Sequence, residues 1–156
     1  MKKITLLIIA LLFINLTFSQ DYSIEELKIV QNIFGVQKKA IYEENMNLAG
    51  VNADTFWSLY NEYEVERKKI GEKKMELLMS YTSKEGAVSN AQADELLSQA
   101  ENIRSSENKL ITKYVKKMRK ETSSLVAAQF YQIEHYITDG VRFQLLNNIE
   151  FLSEKK

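Results

Sequence analysis

Cysteine and proline are both absent from the 156 residues, and only five glycines and one histidine occur. Without cysteine there is no disulfide, no thiolate metal site, no thiol nucleophile and no cysteine-linked lipid anchor. The lack of proline and the scarcity of glycine exclude turn-dense β-sandwiches and glycine-rich loops that cradle phosphate. One histidine is too little material for a catalytic triad or an imidazole metal cluster. Neither sign of charge is in excess, with 21 basic and 21 acidic residues, so the electrostatic footprint of a nucleic-acid binder is missing. What is present, 45% hydrophobic and 27% charged residues, suits one folded domain. The composition is that of a helical protein without catalytic or cofactor-binding motifs.

Residues 1–19 have the pattern of a secretory signal peptide. Lys2 and Lys3 precede an apolar run from Ile4 to Leu16, and Thr17 and Ser19 form a small-residue cleavage site before Gln20. The run is short of the roughly 20 residues needed to cross a bilayer. The expectation is export with cleavage near Ser19/Gln20, and a single helical domain over 20–156. No stable membrane span is expected after cleavage. The mature chain would carry 19 basic and 21 acidic residues, a net charge near −2.

Four amphipathic segments follow. The first opens at Ser23, where Ser23 and Glu26 form a capping box and Tyr22 staples onto Leu27. Leu27, Val30, Phe34 and Ile41 continue a helical stripe to about residue 46, with a break over Asn47–Asn52. The second spans Ala53–Thr82, with Phe56, Tyr63, Ile70 and Leu77 seven residues apart. A neighbouring track through Tyr60 and Tyr81 is interrupted by Arg67 and Lys74, which argues against a sustained coiled-coil seam. Gly71 marks a close approach or a bend. After a turn at Lys84–Ala87, Ser89 and Gln92 offer a second capping box, and a third helix runs to about Glu121. Thr122-Ser123-Ser124 breaks the chain before a fourth helix bearing Val126, Phe130, Ile133, Ile137, Val141, Leu145 and Leu152. The expected class is all-α, and a second segment of about 30 residues at 1.5 Å each points to an elongated shape.

Candidate chemical groups are few. His135 lies about 200° around the helix from Ile133, close to Tyr131, Asp139 and Arg142, and is read as a surface histidine. The acidic groups Glu25/Glu26, Glu43/Glu44 and Glu62/Glu64/Glu66 are read as solvated faces, and Met75, Met79 and Met118 as core filling. No catalytic, cofactor-binding or metal-binding residue is assigned. The suggestive feature is basic: Lys109, Lys113, Lys116, Lys117 and Lys120 cluster on one face of the third helix, with Arg67, Lys68, Lys69, Lys73 and Lys74 on the second. Beside exposed apolar groups, such a face suits the capture of acidic, partly unfolded chains.

The stretch Phe56-Trp57-Ser58-Leu59-Tyr60-Asn61-Glu62-Tyr63 carries the FWxxYxxY segment of a known family. On it, the chain resembles the small periplasmic Spy/CpxP-like helical proteins, in particular Bacteroidetes-type members described as sensors linked to extracytoplasmic-function sigma factors. Counterparts of the family's LTxxQ repeats are Leu48–Asn52, Val88–Gln92 and Leu125–Gln129. Of these the middle one keeps the hydroxyl and glutamine at Ser89 and Gln92. Gln132 and Glu134 fall in the family's fourth-helix pattern, and Arg142 where an arginine is often placed. The resemblance implies an elongated antiparallel helical hairpin with flanking helices, often dimerised, that holds unfolded envelope proteins without nucleotide in the periplasm of a Gram-negative cell. An alternative it implies is a stress-sensing regulatory partner of a membrane or sigma-factor system. A third alternative is a structural, self-associating helical envelope protein, since thin rods bury little core per residue and homodimerisation offsets that.

Overall fold

The computed structural model describes residues 24–82, 87–148 and 151–154. The signal-peptide stretch, its cleavage site and the Ser23 capping box lie outside these residues. The described residues form four helices, α1 (Ile24–Asn45), α2 (Ala53–Thr82), α3 (Asn90–Glu121) and α4 (Ser124–Asn148). The fold class is all-α. A two-residue strand β1 (Ala87–Val88) pairs in parallel with β2 (Ser153–Glu154), Ala87 opposite Ser153 and Val88 opposite Glu154.

Where the chain is described on both sides, the helix boundaries have local causes. Between α1 and α2 the chain turns at Gly50, whose φ of 79° suits a residue without Cβ. The Asn52 side-chain oxygen then accepts from the amides of Asp54 (2.9 Å) and Thr55 (3.3 Å), capping α2. At α3 the expected capping box is formed: Ser89 Oγ accepts from the Gln92 amide and Gln92 Oε1 accepts from the Ser89 amide. The break at 122–123 is also formed. Thr122 Oγ1 donates back to the Met118 carbonyl at 2.6 Å, and Ser123 Oγ accepts from the Val126 amide to start α4.

α2 and α3, each about 45 Å or more long at 1.5 Å per residue, form the antiparallel hairpin. The ion pairs Glu62–Lys117, Glu66–Lys113 and Lys74–Glu107 mark its register. α4 packs along α3, and α1 runs antiparallel to α2 while also touching α4. All four helices meet around Tyr42, Tyr60, Tyr63, Tyr114, Met118 and Phe130, which are buried. Among the described residues no helix is long and apolar enough to cross a membrane.

Candidate functional site

The core holds a group of charges that its apolar surroundings disguise in sequence. Lys38 on α1 and Glu134 on α4 keep only 1% and 2% of their side-chain surface exposed and stand 2.6 Å apart. The Lys38 ammonium also donates to Glu64 Oε1 at 2.7 Å. Glu134 is saturated by two phenols: Tyr42 donates to Oε1 at 2.5 Å and Tyr63 to Oε2 at 2.6 Å. Glu64 in turn accepts from Arg67 Nε at 2.9 Å. Two cations and two carboxylates from α1, α2 and α4 thus cancel within the packed interior. This is the condition under which charge survives there, because each unpaired ion would cost several kcal/mol.

The electrostatics follow from the geometry. Burial first, then the Glu134 carboxylate, pushes the Tyr42 and Tyr63 phenols well above their ordinary value, so both remain donors. Burial likewise raises Tyr60, whose hydroxyl has no partner. For Glu64 burial favours the neutral acid, but Lys38 and Arg67 outweigh it and hold the carboxyl below its usual value.

Beyond this layer, toward the α1 N-terminus, the four helices separate around a pocket of about 110 Å³. Its walls are mainly Phe34, Ile70, Leu110, Ile137, Val141 and Leu145, with Lys38 and Glu134 at one end. Arg67 and Lys74, the two residues that interrupt the Tyr60–Tyr81 track, both line it. Arg67 faces Phe34, 5.0 Å from its ring centre, and Lys74 pairs with Glu107 at 3.0 Å. Gln31 closes another part of the wall and donates to the Lys68 carbonyl at 3.2 Å.

The residues singled out in sequence are distributed unevenly. Phe56, Tyr60 and Tyr63 are buried in one aromatic cluster, with Phe56 stacked on Tyr60 and Tyr63 edge-on to Phe130 at 5.1 Å. Trp57 is half-buried, edge-on to Phe56 and Tyr60, with the Lys39 ammonium 5.4 Å from its ring centre. Ser89 and Gln92 form the α3 cap. Glu134 is central to the ion group, whereas Gln132 is exposed and Arg142 pairs with Asp139 on the surface at 3.3 Å. His135 lies against Tyr131, ring centres 4.2 Å apart. Met118 is fully buried and Met75 lines the pocket.

The basic face of α3 is partly neutralised. Lys113 and Lys117 reach across to Glu66 and Glu62 on α2, while Lys109, Lys116 and Lys120 are exposed. Hydrogen bonds from Lys113 and Tyr114 hold the Glu66 carboxyl below its ordinary value. The expectation that Glu62, Glu64 and Glu66 form a solvated face is corrected at Glu64, which turns into the interior to meet Lys38 and Arg67. Arg67 and Lys74 likewise leave the expected basic surface of α2 for the pocket wall. Lys38 was not singled out in sequence at all. The signal for it is its place on the α1 stripe, four residues after Phe34 and three before Ile41, as Glu134 sits between Phe130 and Ile137 on α4.

Among the described residues no three or more histidine, aspartate or glutamate side chains gather as a metal site would need. No family model, no curated protein and no solved structure matches this chain.

Proposed function

We propose that this is a non-enzymatic periplasmic protein of the Spy/CpxP-like kind that holds partly unfolded envelope proteins. The observation that carries the reading is where apolar surface is left uncovered. On α4, Leu125, Tyr136 and Phe143 lie on one line of the helix and are 52–63% exposed. On α1, Ile29, Ile33 and Val36 form a similar line. On α1 the three residues stand one turn apart and make a contiguous apolar face, the kind of surface that marks an interaction site; on α4 the exposed Gln132 stands between Leu125 and Tyr136 on the same line. Lys109, Lys116 and Lys120 on α3 add unneutralised positive charge suited to acidic segments of a client. The FWxxYxxY residues support the family likeness through the core they build, and contact clients little.

The test is light scattering of a denatured client diluted with and without the mature chain beginning at Asp21. Dose-dependent suppression without nucleotide is expected, reduced in Tyr136→Glu/Phe143→Glu. Lack of suppression across several clients would sink the holding role. A single membrane protein in a pull-down would then favour the stress-sensing partner. A stable dimer in sedimentation that buries the α4 stripe would favour the self-associating alternative.

A further inference from the structure

We propose that the pocket between the four helices binds a small neutral molecule, a benzene-sized apolar group carrying one amide or hydroxyl. The size is set by the cavity. At about 110 Å³ it is of the order of the roughly 150 Å³ apolar cavity known to admit benzene, and far larger than one water requires. The walls of Phe34, Ile70, Leu110, Ile137, Val141 and Leu145 call for an apolar body.

Neutrality is set by the ions. Every charged side chain in the wall already has its counter-charge: Lys38 has Glu64 and Glu134, Arg67 has Glu64, and Lys74 has Glu107. A charged ligand would give up its hydration without meeting an unmatched counter-charge.

The polar head is set by two orphaned atoms. Arg67 Nη2, a donor, and Gln31 Oε1, an acceptor, are buried with no hydrogen-bond partner, and both residues line the pocket. Buried polar atoms are seldom left unmatched. An amide or hydroxyl supplies both an acceptor for the arginine and a donor for the glutamine, whereas a carboxylate supplies only acceptors. Gln31 is 9% exposed, and the bond from its Nε2 to the Lys68 carbonyl leaves Oε1 free to accept from a ligand. Its carboxamide has room only because residue 71 is glycine. A Cβ there would come within 2.9 Å of both terminal atoms of Gln31.

Three probes of one shape test the site: benzamide, benzoate and toluene, each titrated into the purified mature chain. Methyl resonances of Ile137, Val141 and Leu145 and calorimetry are the readouts. Benzamide is expected to shift these methyls saturably and to bind at least tenfold more tightly than benzoate, with toluene between. Gln31→Leu should bring benzamide down to the level of toluene, and Gly71→Ala, which displaces the same carboxamide, should do so independently. Val141→Trp should abolish binding of all three while the amide spectrum stays folded. Benzoate binding tightest, shifts confined to residues outside the pocket, or no saturable shift with any probe would each overturn the proposal. Client holding is a separate property, and suppression of aggregation is expected to survive in Val141→Trp.

Discussion

The two halves of the helical assembly solve the same packing problem differently. Around Tyr42, Phe56, Tyr60, Tyr63 and Phe130 the helices close on interlocked rings, with tyrosine hydroxyls and a lysine satisfying one buried carboxylate. Toward the α1 N-terminus the aromatic residues give way to Arg67 and Lys74 on α2 and to a pocket. The rings fill volume with rigid, edge-on contacts. Long charged side chains instead follow their counter-ions and leave space between the helices. Cohesion and vacancy therefore sit about two helical turns apart along the same helix.

The largest effect expected from breaking this contrast is at the ion group. Lys38→Met strands Glu134 in the interior, leaves Glu64 with Arg67 alone, and should cost about 3–5 kcal/mol in urea unfolding. The double variant Lys38→Met/Glu134→Leu should cost less than the sum of the two single changes, because it removes charge on both sides. Next come truncations in each half. Phe130→Ala, at the centre of the rings, should cost about 3–5 kcal/mol, and Ile70→Ala, beside the pocket, about 2 kcal/mol or less, since its surroundings are already incomplete. Equal losses at the two positions would show that the halves are packed alike.

The response to pH sharpens the contrast further. The Glu64 carboxyl is depressed in the folded state, so its stabilisation is present above its ordinary value of 4.5 and is lost as pH falls through the folded-state value. Glu64→Gln should flatten that acid limb. The Tyr42 and Tyr63 phenols are raised, so their contribution is complete below pH 10.0 and is lost as pH climbs beyond it. Denaturant midpoints measured from pH 3 to 11 check both limbs. The smallest effect is at Gly71→Ala. The helix gains about 1 kcal/mol from the better former and loses the Gln31 bond, worth a similar amount, so net stability should move by less than about 1 kcal/mol.

The helices were legible because their ends are written in local chemistry. Ser89 and Gln92 specify the α3 start, Asn52 and Gly50 the turn before α2, and Thr122-Ser123 the step into α4. The start at Ala53 and the end at Glu121 follow from those residues alone. The ion group was harder to see. Periodicity ranks residues by hydrophobicity, so Glu64 reads as solvent-facing and Lys38 carries no mark of burial, even where neighbours on either side point inward. Their burial depends on a match between helices far apart in the chain, which no single stripe reveals. Arg67 and Lys74 were noticed as interruptions of an aromatic track, and they prove to stand where the helices draw apart.

The same match has a consequence for how the chain closes on itself. Lys38 and Glu64 are 26 residues apart, and Tyr42 and Glu134 are 92 apart. The shorter loop from α1 to α2 is enough to bring the Lys38 ammonium to Glu64. Closing the much longer loop to α4 costs more chain entropy, and only that step brings the carboxylate that takes up both tyrosine hydroxyls. The bonds to Glu134 therefore carry the larger closure cost, and without α4 the pairing made by α1 is only half complete.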